Sequence, residues 1–449
     1  MSVPESLDTS QFTPWPPGAL LVGGAVRDAL LGRAARDLDW LVPDPAESAQ
    51  RHAERVGGSA FLMDEERRHW RLALPGGAVH DFAPFRGAPG DVDADLWRRD
   101  LTCNAMALTR GGTLIDPTGG ADDLARRRVR MTSAASLGAD TVRPLRAVRF
   151  AATLVCELDD ATKDVVIEQF FAQRTGAATA PAWERVGAEL QLLVESRYAP
   201  RGFALLKALG GLAIYLPELE LGRGVDQGAL HHLDVLAHQL EALNQLLAGF
   251  PDSGAALRWA TLLHDVGKPA SLGHTPLGTP TFYGHDKVGA EMVQRALRRL
   301  RLPGEVVDRA AALVRYHMLQ IPREERAVRR FVHRRRALLP DLLKLMLADR
   351  EAARGRAASH SGRVSYRSAV SGVLAALEAQ PAPAGLLNGD DVMALLALAP
   401  GPRVGEALAV VAEARAVGDV HDRAGAEALL VRYAAAQGWT VERGAATRP

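Results

Sequence analysis

The chain has only two cysteines among 449 residues, Cys103 and Cys156, too few for a disulfide framework or a cysteine-rich zinc site. It lacks an apolar run near the roughly 20 residues that a membrane-spanning helix needs. Its beginning lacks the basic-then-apolar pattern of a secretory leader. The chain also has almost no net charge, because its 54 basic residues nearly equal its 53 acidic ones in number. A nucleic-acid partner would therefore have to bind local basic patches. These absences predict a soluble cytoplasmic protein without a membrane partner.

What is present is typical of a globular protein, with 47% hydrophobic and 24% charged residues and enough length for about two to four domains. Short β-rich runs dominate up to about residue 135, and helical spacing dominates after about residue 139. Strands are predicted at 20–23, 37–42, 70–74, 79–82 and 112–116, and helices at 145–154, 182–195 and 200–209. Small polar residues around a Pro-Ala-Pro stretch predict a linker at 357–384.

Two motifs near the beginning of the chain point to phosphate chemistry. Gly23 and Gly24 follow a predicted strand and open a predicted helix, where backbone N–H groups can approach phosphate oxygens closely. Fourteen residues after Gly23, Asp37 and Asp39 occupy positions i and i+2 of a predicted strand, so that they share a face. Such carboxylates repel each other unless a cation neutralises them, and the pattern is suited to two Mg²⁺ ions. A solvated strand end is the alternative interpretation.

The segment from Gly23 to Asp39 resembles the active-site motif of class II tRNA nucleotidyltransferases and bacterial poly(A) polymerases, which belong to the polymerase-β-type nucleotidyltransferase superfamily. Residues 98–107, Arg-Arg-Asp-Leu-Thr-Cys-Asn-Ala-Met-Ala, are similar to a second block of that family. The resemblance implies that Arg99 contacts phosphate, that Asp100 accepts a hydrogen bond from a ribose hydroxyl, and that Asp81 is a further acid near the metals. It also implies nucleotide-binding roles for Gly23, Gly24, Arg27, Asp28 and Asn104.

Residues 139–150 resemble the family's base-reading element, in which a carboxylate and a guanidinium hydrogen-bond to the Watson–Crick edge of CTP or ATP. Asp140 and Arg143 would form this pair, at positions i and i+3 of one helix face. A surface ion pair is the alternative. Ala139 stands where the family carries Glu, so the resemblance leaves selection of both CTP and ATP open.

Two further arginines of the same helix, Arg146 and Arg149, would meet the triphosphate or pack as neck residues. The stretch 181–190 resembles a family motif that braces the nucleotide-binding helix. The resemblance thus extends the predicted nucleotide site from the β-rich segment into the first helices.

A histidine-rich block follows, in which His264 and Asp265 end a predicted helix before Gly267. This pattern resembles the HD phosphohydrolase superfamily. Imidazole and carboxylate ligands suit a divalent metal such as Mn, Ni, Co or Mg better than tetrahedral zinc. The resemblance implies a metal site made of His238, His264, Asp265, His285, His317 and Asp349. A relic fold used as a tRNA-binding arm is the alternative.

The stretch 326–336 is rich in arginine and predicts contacts with tRNA phosphates through Arg329, Arg330, Arg334 and Arg335. A solvated helical face would give the same pattern. The sequence does not indicate an oligomeric state.

The expected fold class is α+β: a nucleotidyltransferase head with a small mixed sheet (1–138), a helical neck (139–220), an HD domain (221–356) and a helical, tRNA-binding tail (385–449). The implied function is addition of CMP and AMP, from CTP and ATP, to the 3′ end of tRNA, with Mg²⁺ bound by Asp37 and Asp39 and a phosphohydrolase activity in the HD domain. Three alternatives remain: a partial enzyme that adds only CC or only A, a poly(A) polymerase, and an HD hydrolase whose head only binds RNA.

Overall fold

The computed structural model describes residues 7–35, 37–85, 91–379 and 385–439. The chain divides into two compact units, one formed by Met1–Leu221 with Ala296–Pro303 and the other by Gly222–Arg295 with Gly304–Pro449. The first unit combines a mixed sheet with helices, and the second is almost entirely helical, so the predicted α+β class is confirmed. Among the described residues, no helix is long and apolar enough to cross a membrane.

The described residues of the first unit form nine strands and eleven complete α-helices. The strands are β1 (Leu20–Val22), β2 (Leu38–Leu41), β3 (Ser59–Asp64), β4 (His69–Ala73), β5 (Val79–Ala83), β6 (Ala107–Leu108), β7 (Leu114–Ile115), β8 (Arg128–Val129) and β9 (Glu157–Leu158). The helices are α1 (Gly24–Leu30), α2 (Pro45–Val56), α3 (Val92–Trp97), α4 (Gly120–Ala125), α5 (Ala134–Gly138), α6 (Arg143–Thr153), α7 (Asp160–Thr175), α8 (Trp183–Glu195), α9 (Ala199–Leu209), α10 (Leu212–Tyr215) and α11 (Pro217–Glu220).

The described residues of the second unit form helices and one short hairpin; residues 296–299, at the end of the helix that begins at His285, group with the first unit. The hairpin strands are β10 (Gly273–His274) and β11 (Pro280–Thr281). The helices are α12 (Val235–Gly249), α13 (Ala255–Leu263), α14 (His285–Arg299), α15 (Gly304–Tyr316), α16 (Glu325–Arg335), α17 (Asp341–Ala352), α18 (His360–Ala379), α19 (Gly389–Leu396), α20 (Pro402–Val417) and α21 (Arg423–Ala436).

The head sheet has the strand order β3-β4-β5-β2-β1-β6-β7, in which β2 and β5 are parallel neighbours. Their register aligns Asp39 with Asp81 and Trp40 with Phe82. Alternate residues of a strand point to opposite faces, and Trp40 and Phe82 are fully buried. Burial of these two rings therefore fixes both aspartates on the other face, because a slip of one residue would exchange the faces.

All five predicted strands are present, with ends that differ by a few residues. The prediction that Asp37 lies within a strand is corrected, because Asp37 occupies a bend before β2 and its carboxylate accepts from the backbone N–H of Val79 at 3.0 Å. Strand β3 was not predicted because its residues are mostly exposed and so lack the alternation of a half-buried strand.

The prediction that Asp140 and Arg143 share one helix face is also corrected. Helix α6 begins at Arg143, and Asp140 lies in the turn before it. There the Asp140 carbonyl accepts from the N–H of Arg143 at 2.9 Å, and its carboxylate accepts from the N–H of Val142 at 3.2 Å. A short acidic side chain that bonds to nearby backbone N–H groups favours such a turn over a helix interior.

The predicted linker at 357–384 is wrong over most of its length, because α18 runs for 20 residues through it. Its small residues were interpreted as linker composition, but Val370 and Val373 bury one side of the helix. Packing of such a face contributes most of a helix's stability in a protein. The part of the prediction at 380–384 lies outside the described residues.

Candidate functional site

The first cluster of functional side chains lies on the open face of the head sheet. Asp39 and Asp81 are register partners there, and Asp37 precedes β2 on the same edge. Both oxygens of Asp81 accept from the Arg71 guanidinium at 2.7 Å. Asp39 is exposed on this face, but the protein around it displaces part of its hydration and raises its pKa; the Arg99 guanidinium opposes that shift, and the charges of Asp81 and Asp37 add to it. The negative charge of the carboxylates is thus only partly neutralised. Carboxylate oxygens are the ligands that Mg²⁺ prefers.

The turn between β1 and α1 brings the backbone next to this cluster. Gly23 has φ 73°, a conformation that side chains other than glycine rarely adopt. A Cβ atom at this position would lie 3.2 Å from Nη1 of Arg99 and 3.2 Å from Oδ2 of Asp39. Glycine at this position therefore allows the backbone to lie close to both the Arg99 guanidinium and the Asp39 carboxylate. The predicted phosphate-binding turn requires such a close approach.

Arg99 connects two neighbouring cavities of the first unit. One, of about 230 Å³, is lined by Asp39, Asp81 and Arg71, and the other, of about 350 Å³, is lined by Asp100, Asp140, Arg143, Arg146 and Arg185; Arg99 lines both. Its guanidinium donates to the buried carboxylate of Asp95 at 3.1 Å. The carboxylate cluster therefore adjoins a space rich in guanidinium groups, which is suited to a polyanion such as a triphosphate.

The guanidinium-lined cavity is braced by a chain of ion pairs. Asp100 accepts from Arg146 at 2.7 Å, and Glu189 accepts from Arg146 at 3.1 Å and from Arg149 at 2.5 Å. Burial alone would raise the pKa of Asp100, but the Arg146 guanidinium outweighs it and lowers that pKa. Asp100 is therefore ionised and able to accept a further hydrogen bond.

Phe150 was not predicted to have a functional role, yet three guanidinium groups lie against its ring. The distances from the guanidinium carbon to the ring centroid are 5.1 Å for Arg27, 5.6 Å for Arg146 and 4.1 Å for Arg149. Arg27 also donates to Asp28 at 2.9 Å and to Asn104 at 2.7 Å. The negative face of an aromatic ring offsets repulsion between neighbouring cations. The Arg-Phe pair at 149–150 was the only sequence signal of this contact.

The predicted base-reading pair is not a pair in this structure. Both oxygens of Asp140 accept from Arg185, at 2.9 and 2.5 Å. Arg143 instead donates to the backbone carbonyls of Ser136 and Arg98. Sequence spacing did not reveal the Asp140–Arg185 contact, because the two residues lie 45 positions apart.

A second cluster lies in the helical unit and contains all six side chains predicted for the HD site. They form two groups of possible metal ligands, and within each group the donor atoms lie within 4.8 Å of one another. One group is His238, His264 and Asp349, and the other is Asp265, His285 and His317. One oxygen of Asp265 lies 3.1 Å from His264, and the other lies 3.4 Å from His285. Asp265 therefore faces both groups.

The histidines of this cluster are oriented as metal ligands are. The Nδ1 atoms of His264, His285 and His317 lie 2.9, 2.7 and 2.7 Å from backbone carbonyls. A neutral imidazole that donates from Nδ1 presents Nε2 as an acceptor, which is the usual arrangement behind a metal-binding imidazole. The Nε2 atoms of His285 and His317 and the Oδ1 atom of Asp265 are buried without a hydrogen-bond partner.

The electrostatics of the cluster fit a divalent cation. Burial lowers the pKa of His264, but the Asp265 and Asp349 carboxylates outweigh it and raise that pKa to about 10. Lys268, which the sequence analysis did not single out, lies 2.7 Å from Asp265. Buried acceptor atoms without partners cost free energy, and metal ions would satisfy them.

The four arginines predicted to bind RNA all have contacts within the second unit. Arg330 and Arg334 pair with Glu413 of α20 at 3.0 and 2.8 Å. Arg329 pairs with Glu325 at 2.5 Å, and Arg335 lies 3.9 Å from the Tyr316 ring centroid. Their binding of RNA stays a prediction.

Comparisons with known proteins follow the same division of the chain. The family model of the poly A polymerase head domain matches residues 79–130, and that of the HD domain matches residues 230–354. The A-adding tRNA nucleotidyltransferase of Deinococcus radiodurans is 53% identical to this chain, over 94% of this chain and 96% of the relative. The chain belongs to the tRNA nucleotidyltransferase family. It is therefore an enzyme that transfers nucleotides to tRNA, and it carries an HD domain.

Other tRNA nucleotidyltransferases are similar over most of their length. The CC-adding enzyme of Thermus thermophilus is 42% identical over 93% of this chain and 94% of the relative. Among solved structures, a CCA-adding enzyme in complex with CTP has a TM-score of 0.58 at 20% identity, covering 94% of this chain and 91% of that one. The Thermotoga maritima CCA-adding enzyme complexed with tRNA has a TM-score of 0.57 at 19% identity, covering 96% and 100%. The structural matches show that this tRNA nucleotidyltransferase has the same fold.

Proposed function

We propose that the chain transfers one AMP from ATP to the 3′ end of a tRNA that already ends in CC. Support for nucleotidyl transfer rests above all on the β2–β5 register, which sets Asp39 beside Asp81 at a cavity that Arg99 also lines. Support for A addition comes from the relatives, because identity is 53% with an A-adding enzyme and 42% with a CC-adding one. The domain boundaries expected from sequence are part of this proposal.

In the proposed reaction the tRNA 3′ oxygen forms a bond to the α-phosphorus of ATP, the bond to pyrophosphate breaks, and the hydroxyl proton is lost. Asp37 and Asp39 would bind Mg²⁺, with Asp81 as a further acid. Two such ions, when bound, activate the attacking hydroxyl and neutralise charge on the leaving group. Arg99 contacts the triphosphate, and Asp100, kept ionised by Arg146, accepts from the ribose.

Addition of a single kind of nucleotide is favoured over addition of all three. Family members that add CCA use a flexible loop between the positions of Asp39 and Asp81 to switch nucleotide. Here residues 40–80 form β2, α2, β3 and β4, and the longest irregular connection is the five residues 74–78. Ala139 also removes one carboxylate next to the base-reading element. Both features support one fixed nucleotide preference.

The test uses three tRNA substrates, ending before CCA, after the first C and after CC, each with ATP alone, CTP alone or both. We expect one A on the tRNA ending in CC with ATP and no extension of any substrate with CTP. Sequencing-gel analysis of product length provides the measurement.

The same assay separates the alternatives. Two C residues added from CTP would identify a CC-adding enzyme, and three residues from the mixture would identify a CCA-adding one. A long run of A would identify a poly(A) polymerase. Binding of tRNA without extension of any substrate would favour an HD hydrolase with an RNA-binding head. Each of these outcomes contradicts the proposal.

Base selection in this proposal depends on Asp140. The amine of adenine would replace Arg185 on the Asp140 carboxylate, while Arg143 donates to the ring nitrogen. The exposed fractions of the Arg185 and Asp140 side chains are 52% and 28%, and ion pairs that water can reach are worth only about 0–1 kcal/mol. Release of Arg185 is therefore compatible with nucleotide binding.

Asp140→Ala should relax the choice of base. Guanine presents a carbonyl where adenine presents its amine, and two opposed acceptors cost about 1–3 kcal/mol, or roughly 5- to 150-fold in discrimination. Incorporation rates of ATP and GTP on tRNA ending in CC would show a smaller ratio for this variant, whereas Asp164→Ala, an exposed change on α7, should keep the wild-type ratio. An unchanged ratio in Asp140→Ala would place base selection elsewhere.

A second activity, metal-dependent hydrolysis of a phosphoester, is proposed for the HD domain. The observation that supports it is the pair of ligand groups bridged by Asp265, with buried acceptor atoms that lack partners. A mixed set of imidazoles and carboxylates suits Mn, Ni, Co or Mg.

His264→Ala should lower the metal content of protein purified with Mn²⁺, Ni²⁺ or Co²⁺ and abolish hydrolysis of 2′,3′-cyclic AMP or a model phosphodiester, while nucleotide addition continues. His274→Ala, an exposed change on β10, is the matched control for both measurements. Metal-loaded wild-type protein that hydrolyses none of these compounds would refute the phosphohydrolase proposal.

A further inference from the structure

The outermost strand of the head sheet, β3, carries three consecutive apolar side chains that face water. Phe61, Leu62 and Met63 are 43%, 44% and 50% exposed. Single exposed apolar residues are normal, but a contiguous exposed patch marks a binding surface. Edge strands in particular usually carry charged side chains, because an exposed apolar edge would pair with other chains. The patch therefore indicates a ligand that covers it.

The strand registers place Phe61 in line with the carboxylate cluster. Phe61 lies opposite Arg71, which in turn lies opposite Asp81. Asp81 is itself the register partner of Asp39. Side chains that lie directly opposite each other on paired strands point to the same side of the sheet. Because neighbouring strands are about 4.8 Å apart, the Phe61 ring borders the open face roughly two strand spacings from Asp81.

Met63 extends this apolar surface into the cavity that holds the carboxylates. Met63 and His69 line the cavity of about 230 Å³ together with Asp39 and Asp81. The carboxylates belong to β2 and β5, which lie in the middle of the strand order, with β3 at one end. Arg99 lies on the other side, next to the turn after β1. The apolar surface and Arg99 therefore flank the carboxylates from opposite sides.

The two reactants of nucleotide transfer need different surroundings. The triphosphate of the incoming nucleotide is suited to the guanidinium groups on the Arg99 side. The tRNA supplies a hydroxyl from its single-stranded 3′ end, and bases of single-stranded RNA are held by stacking on aromatic side chains. When that hydroxyl lies at the carboxylates, the base of the same nucleotide is within reach of β3.

We propose that Phe61 and Met63 bind the terminal base of the tRNA, with the Phe61 ring stacked on that base, and thereby hold the attacking hydroxyl at the carboxylates. The inference rests on nucleotide transfer to tRNA, but not on which nucleotide is added. Stacking is tolerant of base identity, and the surface lies away from the residues that select the incoming nucleotide. Changes on β3 should therefore affect the use of tRNA and leave the use of ATP unaltered.

The test measures kcat and KM separately for tRNA ending in CC and for ATP; if the addition assay identifies another substrate pair, that pair replaces them. We expect Phe61→Ala to lower kcat/KM for tRNA about tenfold, because it removes a base–aromatic stack, and to leave KM for ATP unchanged. Phe61→Tyr keeps the ring and should retain wild-type values. Leu62→Ala is the matched control, because it removes an equally exposed apolar side chain from the other face of the same strand.

A tRNA whose last nucleotide lacks its base isolates the proposed contact. The tenfold difference between wild type and Phe61→Ala should disappear on this substrate, because neither pairing can form the stack. A difference that persists there, or equal losses in Phe61→Ala and Leu62→Ala, would overturn the proposal. If thermal unfolding shows that Phe61→Ala does not fold, Met63→Ala takes its place in the same comparison.

A second copy of the chain, paired along the edge of β3, is the competing occupant of this surface. Strand pairing would use both faces of β3, so a dimer that both Phe61→Ala and Leu62→Ala dissociate, measured by light scattering, would contradict the proposal. We expect neither change to alter the molar mass. Failure to extend any tRNA would refute the proposed function itself, whereas full activity without the Phe61 ring would refute this inference alone.

Discussion

Repulsion between neighbouring carboxylates is the constraint on which the head depends. Asp39 and Asp81 are forced together by a parallel strand pair whose other face is occupied by Trp40 and Phe82. Arg71 and Arg99 supply positive charge, yet the pKa of Asp39 stays raised by partial loss of hydration and by its acidic neighbours. Folding thus maintains an electrostatically unfavourable cluster, and a divalent cation is what would relieve it.

The HD domain meets a related constraint with different residues. Contacts between Nδ1 atoms and backbone carbonyls orient three of the four histidines in the two ligand groups. The two carboxylates, Asp265 and Asp349, carry the negative charge. Each unit therefore holds acceptor atoms close together with negative charge that its own cations only partly neutralise. Both proposed activities depend on this property.

Much of the fold and part of the site could be predicted from sequence. The features that could not be predicted depend on contacts between residues far apart in the chain or on burial. Strands with alternating burial and motifs such as Gly23-Gly24 are local, and local patterns are visible in sequence. The contact of Asp140 with Arg185 depends on how α8 packs against α6, and no spacing rule gives it. Helix α18 was missed because Ser, Ala and Gly are common in linkers, and only burial of Val370 and Val373 distinguishes it.

The metal-binding role of Asp39 is tested most directly by comparing the thermal stability of wild type and Asp39→Asn, in EDTA and in Mg²⁺. A carboxyl group whose pKa is raised by folding destabilises the folded state at neutral pH, where it is ionised. We predict that Asp39→Asn is at least as stable as wild type in EDTA, gains less stability from Mg²⁺, and loses at least about a hundredfold in the rate of nucleotide addition. A variant that is less stable than wild type in EDTA and equally stabilised by Mg²⁺ would contradict the claim that Asp39 belongs to a metal-binding carboxylate cluster.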